Sequence, residues 1–245
     1  MNILAVIPAR YGSSRMPGKP LENICGKPMI WWVYKTACEV KCLDNIVVAT
    51  DDNRIYSKCT ELLIPVIMTS KNCDTPTDRL CEVASIIKAN YYVMIMGDEP
   101  VIKKEAIELI INTVKPNNIE VSVLTNQIDN PAEVIDFSNQ KCITNKNRDI
   151  LFISRSPIPY PKGTLNIKYE KVTGVQMFTS EALRFFQNTC KSILEQAEEN
   201  DLMRFIEHDI KVMGILSPYK TISVDTYKDL EIVRDILKGE NLDVL

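Results

Sequence analysis

A chain of 245 residues with 45% hydrophobic content has enough apolar mass for one large domain, which excludes a disordered segment. Its 29 basic and 32 acidic side chains leave a formal charge of -3, so no global positive field exists for nucleic acid and attraction for an anion must be local. No apolar run approaches the roughly 20 residues of a membrane span or continues like a signal peptide, so a cytoplasmic protein without membrane insertion is expected.

Residues 3–7 are continuously aliphatic, the pattern of a strand buried on both faces, and Pro8 ends it by removing a backbone donor. The polar loop that follows carries Arg10, Gly12, Ser13, Arg15, Gly18 and Lys19. Its glycines let backbone approach a ligand, and its three cations can neutralise an anion of several charges, which reads as a triphosphate grip. A P-loop needs four residues between its glycines and a Ser or Thr after its Lys. Here five residues separate Gly12 from Gly18 and Pro20 follows Lys19, so a Walker-type ATPase does not fit. Pro20 also biases Lys19 towards an extended conformation.

A helix after Pro28, a strand at 45–50, a helix from Asp52, a strand at 65–69, a helix from Thr77 and a strand at 91–96 come next. This alternation implies an α/β fold with a Rossmann-like, mainly parallel, doubly wound sheet. Ligands of such sheets bind beyond the carboxyl ends of the strands, where Arg10, Thr69 and Asp98 would lie. Asp98 follows an apolar strand and Gly97, a position suited to magnesium shared with phosphate oxygens. Glu99 beside it reads almost as well as a solvated turn residue.

A helix at 103–114 and a strand at 120–127 precede a change of character. Across about 131–178, strands at 141–144, 150–154 and 171–178 flank the Pro-rich loop 156–161. They suggest an inserted, more antiparallel region that closes over an acceptor or forms a subunit contact. Helices near Ser180 and Glu195, strands around 210–216 and 221–224, and a helix at 226–237 complete a single domain over 1–245. Asp225 follows its predicted strand much as Asp98 does. The eight cysteines include no Cys-x-x-Cys pair and His208 is the sole histidine, so reduced packing thiols are expected in place of structural zinc.

The run Ile7-Pro8-Ala9-Arg10-Tyr11-Gly12-Ser13-Ser14-Arg15-Met16-Pro17-Gly18-Lys19-Pro20-Leu21 resembles the signature of the CMP-Kdo synthetase family, the 3-deoxy-manno-octulosonate cytidylyltransferases. Gly26-Lys27-Pro28-Met29-Ile30, Val47-Val48-Ala49-Thr50-Asp51, Gly97-Asp98-Glu99-Pro100, Phe152-Ile153-Ser154-Arg155 and Val224-Asp225-Thr226 extend the resemblance in the family's order over nearly the whole chain. It implies a nucleotide-diphospho-sugar transferase type of fold and a reaction of CTP with an acidic sugar to give a CMP-sugar and pyrophosphate. The implied catalytic residues are Arg10, Lys19, Asp98 and Asp225, with Asp98 and Asp225 holding Mg2+. Pro8, Ala9, Arg10, Gly12, Ser13, Arg15, Lys19, Thr69, Arg79 and Asp98 would line the nucleotide site, while Arg155 and Gln176 would meet the acceptor. A homodimer with a role in building the bacterial cell envelope is also implied.

The chain departs from the family's pattern where the sugar is held. Met96 stands where these enzymes usually have Gln, and Val172, Gln176 and Phe178 replace the His and two Tyr of a His-x-Gly-x-Tyr-x-Tyr pattern. Lost hydrogen-bonding groups change which hydroxyls a site selects. The expected acceptor is therefore Kdo or a related 2-keto-3-deoxy acid. A nonulosonic acid or another small carboxylate or phosphate acceptor is the first alternative, and a noncatalytic nucleotide-binding regulator is the second.

Overall fold

Hydrophobic alternation along the first strand sets the layers. In the computed structural model, which describes residues 2–12, 15–163 and 167–239, strand β1 (Ile3–Ala9) is buried throughout and does not end at Pro8 as expected, since Pro8 and Ala9 still pair beside Ala49 and Thr50 of the neighbouring strand. Ile3, Ala5 and Ile7 face one core, and Leu4 and Val6 face the other, as the two-residue period of a strand requires. A 3-10 turn (Lys19–Leu21) and a short hairpin of β2 (Asn23–Ile24) and β3 (Lys27–Pro28) lead into α1 (Met29–Cys38). The expectation that Pro20 holds Lys19 extended is not met. Lys19 opens the turn, because Gly18 in the left-handed region supplies the carbonyl that accepts from the Leu21 N–H at 2.8 Å.

The chain continues through β4 (Asn45–Thr50), α2 (Asn53–Glu61), β5 (Val66–Met68), α3 (Pro76–Ile86), β6 (Tyr91–Ile95), α4 (Lys104–Asn117), β7 (Val121–Gln127) and α5 (Pro131–Ile135). Then come β8 (Lys141–Thr144), β9 (Ile150–Ser154), β10 (Glu170–Thr179), α6 (Ser180–Asn188), α7 (Ile193–Glu198), α8 (Leu202–Ile206), β11 (Val212–Leu216) and α9 (Tyr227–Lys238). The main sheet runs β11-β7-β10-β6-β1-β4-β5, with β8 and β9 attached beside β10. β10 alone opposes the common direction of the others on this path. The sheet is thus mostly parallel, with an antiparallel extension built by β8, β9 and the first residues of β10. From Val175 onward, β10 lies between β6 and β7 in the main sheet.

Helices cover both faces. Ile30 and Val33 of α1 and Ile107, Ile110 and Ile111 of α4 fill one side. Leu80 and Val83 of α3, Leu183 and Phe186 of α6 and Phe205 of α8 fill the other. A third, smaller core joins Met16, Ile24, Met29, Val101, Val224, Leu230, Val233 and Ile236 beneath the loops at the strand ends.

The strand expected at 221–224 does not form. Asn126 donates to the carbonyls of Ser217 and Tyr219 at 2.9 and 3.0 Å, so the chain turns off β11 and crosses the strand ends. There Val224 donates its N–H to the Asp98 carbonyl at 2.8 Å. Capping boxes at Thr75 with Asp78 and at Thr226 with Asp229 fix where α3 and α9 begin, just behind the same edge.

The buried pair Arg204 and Glu195 ties α8 to α7. Arg204 reaches both Glu195 oxygens at 2.7 and 2.5 Å, donates to the carbonyls of Phe186 and Thr189, and lies 3.6 Å over the Phe186 ring. Arg204→Met is expected to lower stability by about 3–5 kcal/mol, because it strands a buried carboxylate. Urea denaturation followed by circular dichroism checks this, and the double change with Glu195→Leu should recover part of the loss.

Candidate active site

The loop after β1 is shaped by one glycine and one aromatic ring. Gly18 (φ +75°) donates its N–H to the Tyr11 carbonyl at 2.8 Å, and a Cβ at Gly18 would meet the Tyr11 ring at 3.0 Å. The opposite constraint comes from Arg54, whose guanidinium carbon stands 3.2 Å from the centre of the Tyr11 ring. Arg54 is held in turn by two bonds to Asp52 at 2.9 and 2.7 Å, a pairing that keeps the Asp52 carboxyl at about 2. The Tyr11 ring is thereby held between Arg54 and Gly18. Ser13 lies outside the described residues.

Residues from both ends of the chain meet at Lys19. Its ammonium donates to Asp98 Oδ2 at 2.7 Å and to the Val224 carbonyl at 2.8 Å, and lies 3.3 Å from Asp225 Oδ1. Arg15 reaches the same Asp225 oxygen at 2.9 Å. Asp98 can come this close because Gly97 lets the turn press on β1: a Cβ at Gly97 would stand 2.9 Å from the Pro8 carbonyl oxygen. Asp225 arrives through the Val224 N–H bond to Asp98 and the capped start of α9.

A cavity of about 240 Å³ opens over this cluster, lined by Pro8, Ala9, Arg10, Arg15, Lys19, Arg79, Met96, Gly97, Asp98 and Asp225, with Thr75 and Pro76 on the α3 side. Arg79 is a buried wall residue. It pairs with Asp51 at 3.0 Å and donates to Thr69, whose hydroxyl donates to the Thr50 carbonyl at 3.0 Å. Thr69 therefore stands behind Arg79, and neither Thr69 nor Gly12 lines the cavity.

The two residues named for the acceptor are not brought into this cavity. Arg155 donates to the carbonyls of Glu198 and Phe137 at 3.0 and 3.1 Å and approaches Glu199 at 3.6 Å. Gln176 is buried in β10, and its side-chain oxygen Oε1 has no hydrogen-bond partner.

Of the two readings the sequence leaves for Glu99, a weaker partner of Asp98 in metal binding or a solvated turn residue, the solvated turn does not hold. Glu99 is 1% exposed, and burial, reinforced by neighbouring Asp98, pushes its carboxyl up to about 7. The signal available was its position directly after Asp98. Arg54 gave no comparable signal, since its stacking on Tyr11 depends on α2 returning beside the first loop.

The donor set suits a hard divalent cation. Asp98 and Asp225 converge on one ammonium, and among the described residues no group of three or more His, Cys, Asp or Glu forms a closed metal site. Magnesium commonly takes one or two carboxylates and completes its shell with phosphate oxygens and water.

The family model described as cytidylyltransferase matches residues 4–212. The 3-deoxy-manno-octulosonate cytidylyltransferase of Fusobacterium nucleatum is 36% identical over the full length of both chains, 100% of each. The enzyme of the same name from Escherichia coli is 36% identical over 96% of each chain. An 8-amino-3,8-dideoxy-manno-octulosonate cytidylyltransferase of Shewanella putrefaciens is also 36% identical, over 94% of this chain and 96% of its own. A solved CMP:2-keto-3-deoxy-manno-octonic acid synthetase complexed with CTP superposes with a TM-score of 0.92 at 35% identity, covering 98% of this chain and 100% of the other. A glucose-1-phosphate thymidylyltransferase from Bacillus anthracis, with a TM-score of 0.74 at 16% identity, shares the fold. The chain belongs to the cytidylyltransferase family of nucleotidyltransferases, alongside full-length 3-deoxy-manno-octulosonate cytidylyltransferases.

Proposed function

We propose that this enzyme joins CMP from CTP to a hydroxyl of 3-deoxy-manno-octulosonate or a related 2-keto-3-deoxy acid, releasing pyrophosphate in a magnesium-dependent reaction. The observation that carries the reading is the convergence of Lys19, Arg15, Asp98 and Asp225 at the strand-end cavity that Arg10 also lines. The acceptor oxygen bonds to the α-phosphorus as the bond from that phosphorus to the bridging oxygen breaks, and the electron pair leaves with pyrophosphate. Arg10, Arg15 and Lys19 offset the charge growing on that leaving group, while the hydroxyl proton passes to solvent. Magnesium held by Asp98 and Asp225 would neutralise phosphate charge and lower the pKa of the attacking hydroxyl.

Two acceptors have equal support in identity, because the Fusobacterium and Shewanella relatives carry different acid sugars in their names and are both 36% identical. A homodimer and a cytoplasmic setting belong to the same reading. No helix among the described residues is long and apolar enough to cross a membrane. The test offers CTP, ATP, GTP and UTP with Kdo, its 8-amino-8-deoxy analogue and nonulosonic acids, read by pyrophosphate release and product mass. Turnover with CTP and an octulosonate is expected. CTP binding without product under any acceptor would favour a regulator.

A further inference from the structure

We propose that Glu99 is a positioning residue that sets the spacing of Asp98 and Asp225, the two carboxylates that meet at the Lys19 ammonium. The inference rests on the reading of that pair as the magnesium site. Glu99 belongs to the turn after β6, where its N–H donates to the Met96 carbonyl at 3.3 Å and its own carbonyl accepts from the Ile102 N–H at 3.1 Å. From there one oxygen, Oε1, bridges two other parts of the chain: it accepts from the Gly174 N–H at 2.7 Å and from the Ser223 hydroxyl at 3.1 Å. Ser223 lies two residues before Asp225 and Glu99 one after Asp98. The Val224 N–H bond to the Asp98 carbonyl, at 2.8 Å, closes the same joint from the backbone.

Two further features show a fitted joint. A Cβ at Gly174 would stand 2.6 Å from Glu99 Oε1 and 2.7 Å from Met96 Cβ, so only glycine in β10 lets the carboxyl reach the strand. The second oxygen, Oε2, is buried beside the Thr221 hydroxyl of the segment that leads to Asp225, a neighbour that favours the charged carboxylate, yet neither atom makes a close hydrogen bond. An unpartnered buried oxygen costs stability, and a group that only filled space would be better as an apolar side chain. Glu99 makes no hydrogen bond with Lys19 and does not line the cavity, so it acts through the carboxylates that do.

The test measures Mn2+ binding by electron paramagnetic resonance with CTP present, together with kcat and KM for CTP. Glu99→Ala is expected to weaken Mn2+ binding by about 10-fold or more, the range seen when groups that orient metal ligands are removed. It should lower kcat with little change in KM for CTP. Glu99→Gln keeps an acceptor for Gly174 and Ser223 and should bind Mn2+ within about twofold of wild type. Gly174→Ala should reproduce the alanine phenotype by displacing the carboxyl. Ser223→Ala, at an exposed position beside the core residue Val224, should give a loss of about threefold and keeps the test valid if Glu99→Ala does not fold. A folded Glu99→Ala with wild-type Mn2+ affinity, a Glu99→Gln as damaged as the alanine variant, or an unaffected Ser223→Ala in place of an unfolded Glu99→Ala would overturn the inference. Wild-type protein that makes no product from CTP would instead overturn the reading of the site, and this inference with it.

Discussion

Asp98→Asn and Asp225→Asn are each expected to lower kcat for CMP-sugar formation by about 10²- to 10³-fold, with circular dichroism and melting temperature close to wild type. Asn keeps the size of the side chain and can still accept from Lys19 Nζ, so the lost quantity is the negative charge. That charge matters in both roles the pair would have, holding a divalent cation and keeping Lys19 aimed across the cavity at 2.7 and 3.3 Å. The double variant should be little worse than either single one, because groups that serve one centre act as a unit. Steady-state pyrophosphate release with saturating Mg2+ measures this. Either single variant retaining more than about a tenth of wild-type turnover would remove the pair from the chemistry.

Lys19→Met should separate two tasks of one ammonium. In the free enzyme this cation lies between the two carboxylates, where it competes with any divalent ion for the same oxygens. Removing it is expected to tighten Mn2+ binding in the absence of nucleotide by about 10-fold, a change of about 1.4 kcal/mol. With CTP the sign reverses: the triphosphate loses a cation, and kcat/KM should fall by about 10²-fold or more. Arg15 remains beside Asp225 at 2.9 Å and limits the gain, so Arg15→Ala combined with Lys19→Met should bind Mn2+ alone more tightly still. Weaker Mn2+ binding to the Lys19→Met protein would show that the ammonium organises the carboxylates and does not compete for them.

Much of this was legible because it depends on local order. The aliphatic run of β1, the glycines after it and the alternating strands and helices are properties of neighbouring residues, and they place Arg10, Thr69 and Asp98 at one edge, although Thr69 stands behind Arg79 and does not line the cavity. Asp225 was legible as a residue but not by its path. Its segment looked like a strand, yet Asn126 draws the chain off the sheet before a ladder can form. Arg155 and Gln176 looked available for an anion or a sugar. Arg155 instead binds carbonyls around α7, and Gln176 is enclosed between strands, outcomes set by which elements pack together. Glu99 was legible as a neighbour of Asp98 but not in its burial, since its partners Gly174 and Ser223 are 75 and 124 residues away.

The smallest of the three apolar clusters gives the enzyme a weak point that its sheet does not have. Met16 beside the cationic residues, Val101 after Asp98 and Val224 before Asp225 share this cluster with Ile24, Met29 and the α9 residues Leu230, Val233 and Ile236. Cooperative units with little buried surface open at lower free energy than the body they adjoin. On gentle heating the terminal helix should detach first, scattering the cationic loop and both aspartates while the strands stay folded. Inactivation would then precede the main melting transition, and a protease would cut within α9 before it cut the strands.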